Sequence, residues 1–391
     1  MMNKPIYIID ALRTIVGSPF KSLKPYTAVQ LGASVMKAIL DRGKFDKRDI
    51  GQVIIGNTVS AGLGQNMARQ AAVLGGVGED VNSFSVNHVC GSSMQAVLLG
   101  AQAIQCGQAQ LVLCGGAESV TQAPFLLKRD HARDHIAKDD LIDSALFDGL
   151  YCSLSKKRMG DLVESLAVRH KITRKELDQV SLQSHHKAVA AQEEGLLLSQ
   201  IVPLMNARGK QIVADDRPRK NVDLKSFSKL PPVFKKRGRL TAGNVSTPCD
   251  GAAVLCLASS AYVKQNQIKP LARISGQVSL MRPLKESFET DVMAIKALLK
   301  QAKLKMSDID LFEVAEAFSA QCVLAQRQAK IPQRKLNIWG GDLAVGHPLG
   351  SAGARILVNL VHALKAESFK KGIACISFGG SGVVAVAIEA C

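Results

Sequence analysis

The amino-acid sequence predicts an α/β protein with buried sheets, assembled from two copies of one unit. Strand-like and helix-like segments alternate along the chain, the pattern of sheets covered by helices. A stretch that begins at residue 49 recurs 259 residues later. The 391 residues are 47% apolar and 21% charged, which is ordinary for a packed globular chain and offers enough apolar surface to offset the entropy of ordering it. No run approaches the ~18 uncharged apolar residues that cross a bilayer.

Residues 5–10 (PIYIID) read as a strand and 26–40 (YTAVQLGASVMKAIL) as an amphipathic helix. Residues 52–55 (QVII) form a short apolar strand. Residues 93–106 (SMQAVLLGAQAIQC) form an apolar helix, followed by the strand 110–114 (QLVLC) and a glycine pair. DIGQVIIGNTVS at 49–60 resembles DIDLFEVAEAFS at 308–319, and the same shift carries Gly91-Ser92 onto Gly350-Ser351, each opening an apolar helix. After a few extra residues, LVLCGG at 111–116 matches CISFGG at 375–380. Two copies packed about a pseudo-twofold axis are expected; a single domain with a coincidental pattern is the competing reading. Between the copies, 119–245 differs in character. It is rich in charge, helical from Gly160 to about Glu194, and ends in a Pro/Lys-rich segment up to Arg239. It reads as an insertion forming a lobe over one face, where α/β proteins place their sites.

Fifty Lys+Arg against 33 Asp+Glu leave a net charge of +17, and eleven Lys/Arg against three Asp/Glu fall between Arg208 and Arg239. Nucleic acid, a membrane surface or a phosphate-bearing small molecule would answer that charge, and so would a merely solvated basic face. Only two aromatics, Phe227 and Phe234, interrupt the stretch, and no zinc-finger or RNP-like pattern accompanies it, which argues against nucleic acid. Nine Cys, none in a CxxC pair, predict no structural zinc and the mainly buried, reduced thiols of a cytosolic protein. The opening MMNKPIYIIDALRT reads as neither a secretory signal nor a transit peptide, and the closing AIEAC matches no peroxisomal or prenylation signal.

Three segments carry chemistry. In VCGSSMQA at 89–96 a strand-like run reaches Cys90 just before small residues and a helix. Backbone N–H groups and the helix dipole favour a thiolate and an oxyanion at such a place, although a buried structural Cys fits the same residues. In GHPLGSAG at 346–353, His347 is flanked by Gly and Pro at the mouth of a helix, in the repeat position beside the Cys site, where a fixed imidazole could activate a thiol. His88, His131, His135, His170, His185, His186 and His362 have no such context. In FGGSG at 378–382 a glycine-rich loop follows a strand and precedes another, so a dinucleotide fingerprint is not expected.

Together these residues resemble the thiolase family, the CoA-dependent acyltransferases that make or cleave 3-ketoacyl-CoA. The likeness runs through ALRT at 11–14, NMARQAA at 66–72, VCGSSMQA at 89–96, GGAES at 115–119, RMG at 158–160, TAGNVS at 241–246, DGAA at 250–253, EAFSAQ at 316–321 and GHPLGSAGAR at 346–355. It implies duplicated αβαβα layers: an N-terminal half over 1–118, completed by about 246–266, a loop domain over 119–245 and a C-terminal half over 267–391. It also implies that Cys90 is the acylated nucleophile, that His347 is its base, and that the N–H groups of Cys90 and Gly379 form an oxyanion site. Met159, Ala242, Ser246 and Phe318 match positions along the pantetheine channel, and Arg219 a position near the CoA nucleotide. CoA thioesters would be substrates, with no cofactor or metal, and the protein a cytoplasmic homodimer or homotetramer binding neither nucleic acid nor membrane.

The resemblance also exposes departures. The family's second Cys, which moves the proton in carbon–carbon chemistry, aligns with Ser377; Cys375 lies two residues earlier, about 7 Å behind at the usual strand rise. A hydroxyl is a far poorer base than a thiolate. Only a local bulge would bring Cys375 forward. The family's Asn or His before EAF is Ala315, and its Met-Gly-x-Gly-Pro loop is replaced by MRPLKESFETD at 281–291. Three readings stay open: a working thiolase, an enzyme that passes the acyl group from Cys90 to water or another acceptor, and a non-catalytic CoA-binding subunit.

Overall fold

The computed structural model describes residues 4–128 and 140–391, so His131 and His135 lie outside the described residues. The strands of its main sheet form where small and β-branched apolar residues concentrate. They are β1 (Ile6–Arg13), β2 (Ile50–Gly56), β3 (Asn82–Val86), β4 (Leu111–Glu118), β5 (Gly251–Ser259), β6 (Ala272–Met281), β7 (Leu311–Val314), β8 (Lys371–Phe378) and β9 (Gly382–Ala390). They bond in the order β7-β8-β9-β6-β1-β5-β4-β2-β3 as one nine-stranded mixed sheet.

The duplication is written in the ladders. β2 runs parallel to β4 as β7 does to β8. β5 runs antiparallel to β4 and β1, as β9 does to β8 and β6. The halves join through a short antiparallel ladder in which Ile6–Ile8 pair with Ala272–Ile274. Two central helices, α3 (Ser92–Gln105) and α8 (Ala352–Ala366), touch each other and strands of both halves. Helix α1 (Ala28–Asp41) covers the outer face of the first half, with α2 (Met67–Leu74) beside it, and α6 (Thr290–Ala302) covers that of the second. This is the αβαβα layering.

Register corrects one sequence match. Gln52 pairs with Val112, and Leu311, 259 residues later, pairs with Gly372. Strands β4 and β8 therefore correspond at a shift of 260, not the 264 that matching LVLCGG to CISFGG requires. Gly115 and Gly116 lie inside β4, where a side chain on Gly115 would run into the backbone of Ala253 and Val254, while Gly379 and Gly380 turn the β8–β9 hairpin.

The single helix expected from Gly160 to about Glu194 is two, α4 (Met159–Arg169) and α5 (Arg174–Glu193). Lys171 takes a left-handed φ of 52° between them, and Thr173 opens α5 with a capping box to Glu176. Helix α7 (Ser319–Gln328) follows β7 and packs against α5 and α6. Among the described residues no helix is long and apolar enough to cross a membrane.

Candidate active site

Strand β3 stops at Val86, and a tight corner leads into α3. Val89 sits at φ 51°, a left-handed backbone that a β-branched side chain resists. Side-chain hydrogen bonds hold the corner. Ser92 Oγ donates to the Val89 carbonyl at 2.5 Å and accepts the His88 N–H at 2.8 Å. Thr58 Oγ1 donates to the same carbonyl at 3.0 Å, and Asn87 Oδ1 accepts the Val89 N–H at 3.0 Å. Strain of this kind, about 1–3 kcal/mol, persists only where neighbours over-determine the conformation. The corner delivers Cys90 to the wall of a cavity of about 780 Å³.

His347 reaches the same cavity from the other half. A short helical turn, Asp342–Val345, ends at Gly346, whose φ of 106° suits glycine and where a Cβ would overlap the Cys249 sulfur. The His347 backbone is tied to Thr247 and Cys249 by hydrogen bonds of 2.9 and 3.1 Å. Its buried Nδ1 faces Asp342 Oδ2 at 3.5 Å, an ion-pair distance rather than a formed hydrogen bond. Arg355 donates to Asp342 Oδ1 at 2.9 Å, and the Glu316 N–H to Oδ2 at 2.8 Å.

Burial alone would push the imidazole down, but the Cys90 sulfur and the Asp342 carboxylate outweigh it and hold His347 up to about 10. Burial likewise opposes the Asp342 charge, yet Arg355 and His347 pull that carboxyl to about 2. His347 is therefore an imidazolium at neutral pH, facing the Cys90 sulfur that helps to hold its charge. No hydrogen bond among the described residues takes the N–H of Cys90 or Gly379, so the cavity wall keeps two backbone donors.

The apolar cavity is lined by Cys90, His347, Ser377, Gly379, Met159, Ser246 and Phe318, and also by Phe288 from the 281–291 loop. Ala242, expected along the channel, and Arg219, expected near the CoA nucleotide, lie outside its lining. Ala242 is exposed because its turn faces the polar Thr241 and Asn244 inward, where the Thr241 N–H meets Asn244 Oδ1 at 2.9 Å. Arg219 is also exposed, its N–H bonded to His185 Nδ1 at 3.3 Å. The basic stretch is no single face: Lys220 pairs with Glu193, and Arg239 is consumed by the Ala167 and Ile172 carbonyls at 2.6 and 2.8 Å.

Strands β8 and β9 pair without a register shift from Lys371 to Phe378, so no bulge brings Cys375 forward. Cys375 is fully buried, and burial pushes its thiol well up. Ser377 faces the cavity, receiving Gln321 Nε2 at 2.8 Å and donating to Asp291 Oδ2 at 2.9 Å. Ala315 is buried outside the lining, its N–H bonded to the Cys375 carbonyl at 2.9 Å. His88 packs its ring on Phe378, 4.1 Å between centroids, and does not line the cavity.

Sequence reasoning missed Asp342, Arg355, Asp291 and Gln321. The short interval from Asp342 to His347 was a signal in hindsight, and so was an acidic residue closing the altered loop. Among the described residues no group of three or more His, Cys, Asp or Glu is arranged to hold a metal ion.

Comparison with known proteins agrees with this geometry. The family model "Thiolase, N-terminal domain" matches residues 6–261, and "Thiolase, C-terminal domain" matches 268–390. The acetyl-CoA acetyltransferase of Escherichia coli (strain K12) is 40% identical over 390 residues, 99% of each chain. Human mitochondrial 3-ketoacyl-CoA thiolase superposes with a TM-score of 0.95 at 34% identity over 100% of both chains. The Acat5 thiolase from Ascaris suum, solved in complex with coenzyme A, superposes at 0.94 with 35% identity, covering 99% of this chain and 100% of that one.

Proposed function

This chain belongs to the thiolase family and is an acyltransferase of that kind; we propose that it forms or cleaves 3-ketoacyl-CoA, such as acetoacetyl-CoA, through an acyl group carried on Cys90. The observation that carries the proposal is one cavity wall holding Cys90 beside an imidazole that the Cys90 sulfur and Asp342 keep charged.

In the acylation step the Cys90 sulfur attacks the substrate carbonyl, and the carbonyl electron pair moves onto oxygen, held by the N–H groups of Cys90 and Gly379. Collapse expels the leaving group. When that group is CoA thiolate, the proton held on His347 neutralises it. Arg355 fixes Asp342, and Asp342 in turn fixes the charge on the ring. Met159, Ser246 and Phe318 would guide the pantetheine arm along the apolar wall. Arg219 and Ala242 would meet CoA only where it leaves the cavity. CoA thioesters serve as substrates, and the chemistry calls for no resident cofactor or metal.

A homodimer or homotetramer is proposed as well. Among the described residues strand β3 ends the sheet with an unpaired edge, and such edges pair readily with another chain. Light scattering would test this. A cytoplasmic location fits nine free thiols.

The deciding experiment is intact mass after incubation with acetyl-CoA, followed by thiolysis of acetoacetyl-CoA by CoA. An acetyl adduct that vanishes in Cys90→Ala, together with thiolysis, is expected. No adduct would leave a non-catalytic CoA-binding subunit. An adduct that turns over only to hydrolysis would leave acyl transfer to water.

A further inference from the structure

The altered loop at 281–291 ends on Asp291, a side chain that the reading above leaves unused. Asp291 stands in the first turn of α6, 2% exposed, and no Lys, Arg or His neutralises it among the described residues. Its Oδ2 accepts from Ser377 Oγ at 2.9 Å and from Gln321 Nε2 at 3.1 Å; its Oδ1 lies 3.4 Å from the Cys375 sulfur.

A buried carboxylate without a cation is costly, so it calls for a reason. The fold does not demand it. In the first copy Gly32, 259 residues before Asp291, packs against Ala117, 260 residues before Ser377. There the same helix-to-strand contact is made by a glycine and an alanine. The carboxylate is an addition to one copy only, and it is placed on a hydroxyl that reaches the cavity.

We propose that Asp291 is a positioning and proton-relay residue that lets Ser377 do the proton transfer of the carbon–carbon step. The inference rests on reading the chain as a working thiolase. In the cleavage direction the C2–C3 bond breaks and its electron pair passes to C2 of the departing acetyl-CoA. The Ser377 hydroxyl gives its proton to C2, forming the new C–H bond, and takes the proton of the Asp291 carboxyl. Asp291 is left as a carboxylate. Once Cys90 is acylated and no longer charged, His347 gives its proton to water and Asp291 takes one back through Ser377; the thiol proton of the incoming CoA then passes to His347 as its sulfur attacks the acyl-Cys90 carbonyl, the reverse of the acetylation step. Condensation runs the same transfers backwards.

Burial raises the Asp291 carboxyl above its ordinary value, against the pull of hydrogen bonds from Gln321, Ser377 and Cys375, so a proton is held there more readily than on an exposed Asp. Among the described residues the thiols of Cys375 and Cys322 feel the charge of Asp291, and burial pushes both well up, leaving them neutral.

The test compares wild type, Asp291→Asn, Ser377→Cys and the double variant. It reads the rate of Cys90 acetylation by intact mass, thiolysis kcat and KM, and exchange of acetyl-CoA methyl protons into D2O. Asp291→Asn is expected to change acetylation by no more than about twofold while lowering kcat and methyl exchange about 100-fold or more, the usual weight of an acid–base group. With Cys at 377, a thiol able to carry its own proton, the Asp291→Asn penalty should shrink below about threefold, because coupled residues are not additive. Equal losses in acetylation and thiolysis, or the same penalty with Cys at 377, would mark Asp291 as structural only and overturn the proposal. Intact acetylation with unchanged thiolysis would sink the relay alone. A wild type that is never acetylated would sink the thiolase reading and the relay with it.

Discussion

The first copy of the repeat carries His88-Val89-Cys90-Gly91-Ser92 and the second His347-Pro348-Leu349-Gly350-Ser351, aligned by one shift of 259 residues. Both segments turn into a central helix, and Cys90 and Leu349 both line the cavity. The two histidines nevertheless end in opposite states. His88 lies against Phe378, and burial pushes its imidazole down. His347 is more deeply buried, yet Cys90 and Asp342 hold it up to about 10. Where the second copy has Asp342 and Arg355, the same shift lands on Ser83 and Ala96 in the first. The duplicated corner supplies geometry twice; the residues set against it supply chemistry once. Positive-φ backbone is divided as well, at Val89 in one copy, where it is strained, and at Gly346 in the other, where glycine takes it freely.

The largest test of this contrast makes one substitution in both copies. His347→Gln should slow Cys90 acetylation by about 10²- to 10⁴-fold, the range for losing a general acid–base group. His88→Gln should slow it less than about tenfold and cost about 1 kcal/mol of stability through the lost ring contact, measured by denaturant unfolding. Equal kinetic losses would dissolve the distinction.

The pH profile sharpens it. Acetylation should hold through neutral pH and fall as pH rises through about 10, where His347 loses its proton. The sign is the same for folding. A histidine raised above its ordinary 6.5 gives its full contribution below 6.5 and loses it toward about 10. Asp342, depressed from 3.8, contributes above 3.8 and loses that as pH falls toward about 2. Asp342→Asn should move the alkaline limb of the rate profile down by about 1–3 pH units, the usual effect of removing a neighbouring opposite charge. An unmoved limb would mean that Asp342 does not set the state of the ring.

The smallest effects concern strain. Gly346→Ala should destabilise the fold by about 2–3 kcal/mol, because its backbone is left-handed and a Cβ meets the Cys249 sulfur. Val89→Gly relieves the strained residue of the first copy and should leave the melting temperature unchanged or higher. It should also slow acetylation by about tenfold through a looser corner.

Much of this was legible without coordinates. The repeat from Asp49 to Asp308, the helices opening after Gly91 and Gly350, and the special settings of Cys90 and His347 are all local in sequence. What escaped was relational. The match of LVLCGG to CISFGG looked sound as strings and failed as register, because small residues inside β4 and in the β8–β9 turn look alike until strands are paired. The direction in which the turn at Ala242 faces is not visible in its letters. Asp291 stood in plain sight as the end of a foreign loop, with nothing nearby in sequence to reveal the hydroxyl it would meet.

Periodicity, glycine placement and duplication are properties of neighbours along the chain, so the sequence by itself determined the layered α/β architecture, the two matching corners and the places of Cys90 and His347 on them. The charge on His347, the burial of Cys375 and the Asp291–Ser377 contact depend on groups far apart in the chain and removed from water together. Only the tertiary structure decided those, because burial and a chosen partner set a group's protonation, and neither exists until the halves have closed on each other.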